Sequence, residues 1–288
     1  MMKLKLLSWN VNSLRIRGDQ LPALLAAHNP DVLALQEIKQ PAAQVNSDSW
    51  GTAAHYERHL FGQPGYNGVG LLAKEALQDV QENLPHFPDH QARLLAATIG
   101  DVRVVCVYVP NGQALNSDKY TYKLRWLEAL HGYLATELKR FPRLVVLGDF
   151  NIVPRADDQA GGDRGERLLA STPERAALQR LLALGLRDAF RVHHPYERPF
   201  CWGDYGAMNQ SAEDYRAHWP PLAARATQPS GAYSWWDYRL NAFGNNFGLR
   251  IDLTLVSAAL NIVAAGIDVV PRSWLRPSDH CPVWVIVE

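Results

Sequence analysis

Short apolar segments rich in β-branched residues alternate along the chain with amphipathic segments of helical period. The apolar runs predict strands at 5–11, 32–35, 69–73, 94–99, 102–109, 144–147, 251–256 and 283–287. The amphipathic segments predict helices at 19–28, 118–140 and 173–184. Several of the strands are apolar throughout, which indicates that both of their faces are covered. Sheets with helices outside them form a layered α/β fold.

The longest predicted helix has one apolar stripe, formed by Tyr120, Leu124, Leu127, His131, Leu134 and Leu138. We expect this stripe to face the core, so His131 is interpreted as a core histidine and not as a metal ligand. The third helix is predicted to begin at Pro173, with Thr172 as its N-cap.

The composition fits one large globular domain, because 288 residues, 47% of them hydrophobic, can bury a large core. No segment approaches the roughly 18 apolar residues of a membrane span. Polar residues from Ser8 onward interrupt any signal-peptide core, so the protein is predicted to be cytoplasmic. Cys106, Cys201 and Cys281 are too widely separated for a disulfide framework or a zinc site.

The charge is balanced, with 29 basic and 29 acidic residues. A protein that coats nucleic acid by bulk attraction usually has a positive excess. Binding to DNA would therefore depend on local basic clusters. The candidates are Arg15/Arg17, Lys119/Lys123/Arg125, Arg164/Arg167 and Arg272/Arg276.

Polar residues that can bind a metal or a proton stand at the ends of the predicted strands. Asp279 and His280 directly precede the strand at 283–287, and the others are Asn10, Asn12, Glu37, Tyr108, Asp149, Asn151 and Asp252. Taken alone, a carboxylate can be a structural ion pair, and an Asp-His pair can be a surface turn. Carboxylates beside core strands are costly unless they are paired or bind a cation, so the whole set predicts one shared pocket. Oxygen ligands favour Mg²⁺, or Mn²⁺, over zinc or copper.

Seven strings carry a family resemblance. In order they are Trp9-Asn10-Val11-Asn12, Gln36-Glu37, Tyr108-Val109-Pro110-Asn111-Gly112, Gly148-Asp149-Phe150-Asn151, Ser234-Trp235-Trp236-Asp237-Tyr238-Arg239, Gly248-Leu249-Arg250-Ile251-Asp252 and Ser278-Asp279-His280. The set resembles the exonuclease III family of abasic-site endonucleases, within the DNase I-like endonuclease/exonuclease/phosphatase superfamily. The resemblance implies a four-layer α/β sandwich, two packed mixed β-sheets flanked by helices, with the site at one end.

The resemblance also implies roles for single residues. Glu37 is the expected metal ligand, with Asn10, Asp149, Asn151, Asp279 and His280 contributing. Asp149 is the expected general base, Asn151 fixes it, His280 contacts the scissile phosphate, Asp252 orients His280, and Tyr108 contacts or protonates near the phosphate. Asn12, Asn111, Trp235, Trp236 and Leu249 are expected to bind substrate, the last three as an apolar pocket for a flipped-out deoxyribose that has lost its base.

The implied function is Mg²⁺-dependent hydrolysis of the phosphodiester 5′ to an abasic site, in base excision repair. A 3′-to-5′ exonuclease and a 3′-phosphodiesterase or phosphatase activity would use the same centre. The expected partner is double-stranded DNA with abasic sites or 3′ ends, bound at the nucleoid by a monomer that needs no membrane. The alternatives are a predominantly exonucleolytic enzyme, a phosphatase acting on small or lipid phosphates, and a non-catalytic nucleic-acid-binding member of the fold.

Two segments depart from the family pattern. Residues 1–288 are predicted to form a single endonuclease/exonuclease/phosphatase domain, but with an unusual insertion at about 195–232. We expect this insertion to lie at the rim of the DNA face, or else to pack on itself as a surface loop. The loop at 153–170 is rich in glycine and short for the family, which puts the balance of endonuclease and exonuclease activity in question.

Overall fold

The computed structural model describes residues 3–47, 50, 55–195 and 233–288. The strands are β1 (Leu4–Asn10), β2 (Val32–Gln36), β3 (Glu57–Phe61), β4 (Val69–Ala73), β5 (Gln78–Glu82), β6 (Leu94–Ile99), β7 (Val102–Tyr108), β8 (Leu144–Asp149), β9 (Leu186–Asp188), β10 (Asp252–Ser257), β11 (Ile262–Ile267) and β12 (Val283–Val287). The helices are α1 (Leu14–Arg17), α2 (Leu21–His28), α3 (Asp118–Arg140), α4 (Thr172–Leu182) and α5 (Ala189–His193).

The strands form two six-stranded sheets, in the orders β11-β12-β1-β2-β4-β3 and β5-β6-β7-β8-β10-β9. Each sheet is mixed, with one parallel pair near its middle: β1 with β2 and β7 with β8. The flanking pairs are antiparallel, including β12 with β1 and β10 with β8. Both sheets therefore have the same plan, and their parallel pairs end at corresponding edges.

A shared core lies between the two sheets. Leu6, Ala34 and Leu71 of the first sheet pack in one buried cluster with Cys106 and Leu147 of the second. The other face of the second sheet packs against α3 and α4, through residues such as Trp126 and Leu178. The other face of the first sheet is covered by α2 and its neighbouring loops, through residues such as Leu21 and Trp50. Helices outside two stacked sheets make the expected four layers.

Four strands were not predicted from the sequence, and all four lie at the edges of the sheets. β3, β5, β9 and β11 each lie at one end of a sheet order. Edge strands have only one hydrogen-bonded neighbour and carry polar residues that discourage further pairing. Gln78–Glu82, for example, is mostly exposed and polar, so no apolar run marks it.

The helix predictions need three corrections. The segment predicted at 19–28 begins in a 3-10 turn, Gly18–Gln20, and continues as α2. The N-cap of α4 is Ser171 and not Thr172, because the Ser171 hydroxyl accepts from the Glu174 amide and the Glu174 carboxylate accepts from the Ser171 amide. The buried stripe of α3 is rotated from the predicted one and contains Lys123 and Glu137, whereas His131 is only half-buried.

Within the described ranges, no helix has both the length and the apolar character required to cross a membrane. The insertion predicted at about 195–232 lies outside the described residues, except for Pro195. Its position at the rim of the DNA face, like the single-domain organisation, stays a prediction.

Candidate active site

The predicted site residues stand where the parallel strand pairs of both sheets end. Asn10 closes β1 opposite Gln36 of β2, and Glu37 follows directly. In the second sheet Tyr108, at the end of β7, is in register with Asp149, at the end of β8. Asp149 is also in register with Asp252, the first residue of β10. The stacking of the sheets brings these two edges together.

Gly148 allows the second edge to form. Its φ of 146° lies in a region that favours glycine. A Cβ at this position would stand 1.9 Å from the carbonyl oxygen of Val107 on the neighbouring strand. Only glycine lets β8 approach β7 this closely immediately before Asp149.

Asn10 joins the two sheets across the site. Its Nδ2 donates to Glu37 Oε1 and to Asp149 Oδ2, each at 3.0 Å. Its Oδ1 accepts from the backbone amide of Asn12 at 3.0 Å. Glu37 has a φ of 52°, which is uncommon for a glutamate, and its carbonyl accepts from the Ser13 amide at 2.8 Å. This backbone conformation aims the Glu37 carboxylate at Asn10.

Asp149 is held by Asn151, two residues later. The Asn151 backbone amide donates to Asp149 Oδ1 at 2.9 Å, and Asn151 Nδ2 donates to Asp149 Oδ2 at 3.1 Å. Asn151 Nδ2 also reaches the carbonyl of Val109, and Asn151 Oδ1 accepts from Asn111 Nδ2 at 3.0 Å. Asn151 has a φ of 49°, a left-handed conformation that asparagine tolerates well.

The ring of His280 is held by Asp252. Its Nδ1 lies 2.8 Å from Asp252 Oδ2, and the same carboxylate oxygen accepts from the Ser234 hydroxyl at 2.6 Å. The Nε2 atom of His280 then points towards Asp149, with Oδ2 at 3.8 Å. All three groups, His280, Asp252 and Asp149, are almost completely buried.

The charges of these groups perturb each other. Burial raises the pKa of Asp149, and the neighbouring carboxylates of Asp252 and Glu37 raise it further, against the effect of His280. Burial lowers the pKa of His280, but Asp252 and Asp149 outweigh it, so the pKa is raised. Burial also raises the pKa of Glu37, yet Lys39 and Asn10 lower it more, and the net shift is downward. Glu37 is therefore held ionised, while Asp149 is made a stronger base.

Three of the predicted ligands form a cluster that fits a divalent cation. Ligand atoms of Glu37, Asp149 and His280 all lie within 4.8 Å of one another. Two carboxylates converging at one point suit a hard cation, which prefers oxygen ligands. Asn10 and Asn151 border the cluster through their hydrogen bonds to Asp149. Asp279 is not one of the three, since its Oδ1 accepts from Asn12 Nδ2 at 2.8 Å and its Oδ2 from Trp235 Nε1 at 3.0 Å.

Tyr108 borders the cluster on the side of the second sheet. The guanidinium of Arg93 lies over its ring, 5.0 Å from the centroid, and donates to the Tyr108 carbonyl at 3.2 Å. Burial, together with the negative charges of Glu37 and Asp149, raises the pKa of the Tyr108 hydroxyl. The hydroxyl therefore stays protonated and remains a hydrogen-bond donor.

An apolar surface adjoins these polar groups. Trp235 and Leu249 are half-buried, together with Leu169, around a small buried cluster of Val153, Ala170 and Ile251. Trp235 pairs with both Leu249 and His280 in isolated β-bridges, so the surface lies directly beside His280.

The structure corrects the expectation for Trp236. Neighbouring residues of an extended segment point to opposite sides, so Trp236 faces away from Trp235. Trp236 is 2% exposed and packs edge-on against Tyr233 and Phe243. It supports the segment from behind and does not line the apolar surface.

The basic clusters are only partly available to DNA. Arg17, Lys123 and Arg272 are buried and form hydrogen bonds inside the protein. The exposed members are Arg15, Lys119, Arg125, Arg164 and Arg276, whereas Arg167 is half-buried.

Three residues near the site make contacts that the sequence analysis did not predict. Ser234 holds Asp252, and it also accepts from the backbone amides of Ile251 and Asp252. Lys39 pairs with Glu37 at 2.7 Å. Lys123 lies beneath the site and donates to the carbonyls of Asn111 and Asn151. Ser234 and Lys39 lie in or beside the strings that carry the family resemblance. Lys123 was predicted only as a member of a basic cluster on the surface.

The chain is similar to known proteins over almost its whole length. Residues 7–280 match the model of the endonuclease/exonuclease/phosphatase family. Exodeoxyribonuclease III of Haemophilus influenzae is 31% identical and aligns over 98% of both chains. A 3′-5′ exonuclease from Neisseria meningitidis is 37% identical, with a TM-score of 0.83 and 98% of both chains covered. An AP endonuclease from Archaeoglobus fulgidus is 30% identical, with a TM-score of 0.82 and the same coverage.

Proposed function

Because the chain belongs to the endonuclease/exonuclease/phosphatase family, we propose that its site hydrolyses a DNA phosphodiester 5′ to an abasic position. The chain is a DNA-repair nuclease, as its relatives named exodeoxyribonuclease III, AP endonuclease and DNA repair nuclease APEX1 support. The observation that carries the finer proposal is the apolar surface of Trp235 and Leu249 beside His280. It offers a sugar without a base a place next to the catalytic groups.

The polar residues of the site have separate roles in hydrolysis. Asp149, held in place by its two contacts from Asn151, accepts the proton of the attacking water. His280, charged and oriented by Asp252, donates to a phosphate oxygen from Nε2. The Tyr108 hydroxyl supplies a further donor at the edge of the same space.

The metal proposed for the site is Mg²⁺, with Mn²⁺ as the alternative. Glu37 and Asp149 would hold it, and Asn10 and Asn151 would border its position. Asp279 would be an additional ligand. A bound divalent ion would neutralise charge on the phosphate and on the leaving oxygen. The buried carboxylates support this proposal, since their mutual repulsion is relieved by a cation.

Grooves on both sides of the site fit a DNA strand. One groove of about 630 Å³ runs past Asn12 and Lys39 to Arg15. Another, of about 660 Å³, is lined by Tyr66, Arg93, Tyr108, Asn111 and Lys119, among others. Basic side chains line both grooves and suit a polyanionic backbone, and the aromatic rings of the second groove suit its sugars and bases. A monomer acting in the cytoplasm, at the nucleoid, would meet such DNA.

The apolar surface supports selection of abasic sites. A flipped-out sugar without a base is small and largely apolar on one face, so it can pack on Trp235, Leu249 and Leu169. Extruding a paired base costs a few kcal/mol more than extruding a sugar that has none. Intact nucleotides are thus disfavoured both by this cost and by size.

A predominantly exonucleolytic enzyme is the second candidate. One Neisseria relative, 36% identical, is described as a 3′ phosphatase bound to product DNA hairpin. The loop at 153–170, which supplies Leu169 to the apolar surface, is the segment that the sequence analysis interpreted as short for the family. A 3′ terminus would present its last phosphate to the same groups without any base flipping.

One assay separates these functions. The substrates are a duplex with a single tetrahydrofuran abasic analogue, an intact duplex, a recessed 3′ end and an inositol phosphate, each with Mg²⁺ and with chelator. We expect Mg²⁺-dependent nicking 5′ to the analogue, leaving a 3′-hydroxyl. Faster degradation of the recessed end would favour the exonuclease. Hydrolysis of the inositol phosphate without any nicking would overturn the proposal.

A further inference from the structure

A fully buried lysine lies beneath the floor of the site. Lys123, on α3, has no exposed surface, and its Nζ donates to the Asn151 carbonyl at 2.6 Å and to the Asn111 carbonyl at 3.2 Å. Its third contact is an ion pair with Glu174 on α4, which is also fully buried. The three donors of the ammonium group are therefore all used.

The two carbonyls belong to the residues whose side chains meet above them. Asn111 Nδ2 donates to Asn151 Oδ1 at 3.0 Å. Asn151 in turn donates twice to Asp149, through its backbone and its side chain. Lys123 thus links the segments that follow β7 and β8 through their backbone carbonyls. It lies beneath the hydrogen-bonded side-chain amides of Asn111 and Asn151.

Glu174 extends this connection to the loop at 153–170. Its Oε1 accepts from the Leu169 amide at 3.2 Å, and its Oε2 accepts from the Ser171 amide at 3.0 Å and hydroxyl at 2.6 Å. The Tyr120 hydroxyl, one turn before Lys123 on α3, lies 2.6 Å from the Ser171 hydroxyl. One ion pair therefore links two helices, the loop and two strand ends.

A stabilising role alone explains this arrangement poorly. A buried ion pair often adds little net stability, because the attraction only offsets the cost of removing both charges from water. Glu137, near the other end of α3, forms a second buried pair with Arg103 of β7 at 2.7 Å. That pair meets the carbonyl of Asp79 and the hydroxyl of Tyr133, neither of which belongs to the site.

We propose that the Lys123–Glu174 pair positions Asn111 and Asn151, and through Asn151 the carboxylate of Asp149, for catalysis. The proposal rests on the nuclease function of this site. Lys123 touches no reacting atom, so it is a positioning residue. Loss of its two carbonyl contacts frees the ends of β7 and β8 to shift, and small displacements of catalytic groups reduce rates strongly.

The test is K123M, which keeps most of the length of the side chain and removes its donors. We expect kcat to fall roughly 10- to 100-fold, as for other supporting groups around a reacting centre. The KM for DNA should change by less than about threefold, because the binding surface stays in place. Both the abasic duplex and the recessed 3′ end are measured, so that the result does not depend on which substrate the enzyme prefers.

Two further variants separate positioning from stability. R103M/E137M removes the matched buried pair, and its kcat should stay within about twofold of wild type even where it unfolds more easily. K123M/E174Q removes the carboxylate charge that K123M leaves unpaired, so its stability should recover towards wild type. Its kcat should remain low, because the carbonyl contacts are still missing.

A measurement without turnover completes the test. The side-chain amide NMR signals of Asn111 and Asn151 should shift or broaden in K123M and K123M/E174Q, and stay unchanged in R103M/E137M. Unchanged signals with wild-type kcat in K123M would overturn the proposal, as would kcat that recovers with stability in K123M/E174Q. If wild-type protein cleaved neither DNA, the proposed function would fail, while the amide signals would still decide the positioning role.

Discussion

Asp252 Oδ2 lies 2.8 Å from His280 Nδ1, which turns the other nitrogen of the ring towards Asp149 at 3.8 Å. The two residues are far apart in the sequence, and each begins or precedes a strand of a different sheet. The pair therefore forms only when the sandwich is closed. Its geometry fixes which nitrogen of His280 faces the substrate.

We predict that D252N lowers kcat roughly 10- to 100-fold, because a neutral amide in place of the carboxylate would hold His280 without the negative charge that favours its protonated form. Steady-state rates on the abasic duplex provide the measurement.

D268N is the matched control for D252N. Asp268 Oδ2 lies 2.7 Å from His28 Nε2 in an equivalent Asp-His contact outside the site. D268N should retain the wild-type rate. Equal rates for D252N and D268N would contradict the role assigned to Asp252.

The substitution D149N should leave DNA binding largely intact and reduce turnover by at least roughly 100-fold, since a positioned base is lost. Binding is measured by fluorescence anisotropy on a labelled abasic duplex, and turnover under single-turnover conditions. Turnover at the wild-type rate would refute the assignment of Asp149 as the base.

The interior of the fold was readable from the sequence. Apolar runs such as 69–73 and 283–287 match strands residue for residue, because interior strands are covered on both faces. The family and the four-layer fold implied by the seven strings are confirmed by the family match and the sheet orders. The polar edge strand β5 was missed because it has no apolar period, whereas β11 is apolar and its short run of small residues was not recognised as a strand.

The sequence analysis predicted which residues form the site, but it did not predict which residues around the site are buried. The sequence strings at the strand ends identified Glu37, Asp149 and His280. The ligand atoms of these three residues lie within 4.8 Å of one another. Lys123 was missed because its charge alone suggests a surface, and only the packing of α3 on α4 reveals that it is buried. Trp236 was misplaced because a sequence does not state which side of an extended segment faces the site. The catalytic and binding roles of these residues stay predictions.

Replacing Glu37 with glutamine should raise the Mg²⁺ concentration required for half-maximal activity. The neutral amide loses the charge that attracts a cation, and Lys39 loses its partner at 2.7 Å. The measurement is a Mg²⁺ titration of the initial rate, repeated with Mn²⁺. E82Q, which neutralises an exposed carboxylate paired with His59, is the control. Superimposable titrations for E37Q and wild type would exclude Glu37 as a ligand.

Removing the indole of Trp235 should weaken the preference for abasic DNA. W235A deletes much of the apolar surface beside His280, so the ratio of kcat/KM on the abasic duplex to that on a recessed 3′ end should fall roughly tenfold or more. W236F, which keeps an aromatic ring in the buried position behind the segment, should preserve this ratio. If the ratio fell for W236F and not for W235A, the abasic pocket would be formed by Trp236 and not by Trp235.

The acid stability of the protein should depend on Asp158. Burial raises the pKa of this carboxylate, but Arg250 and Arg191 outweigh burial, and the net shift is downward. Arg250 Nε lies 2.6 Å from Asp158 Oδ1, and the same guanidinium reaches Asp188 at 2.7 Å. This network anchors the start of the 153–170 loop beside β10.

A carboxyl group with a lowered pKa in the folded state stabilises the fold above its unfolded pKa, which is about 3.9, and loses this contribution as the pH falls through the folded value. D158N should therefore lower the free energy of unfolding by about 3–5 kcal/mol at pH 7, because Arg250 loses one of its two buried partners. The difference between wild type and D158N should shrink as the pH is lowered below about 4. Urea unfolding at several pH values measures it, and a difference that stays constant down to about pH 2, below the usual carboxyl range, would contradict the assignment.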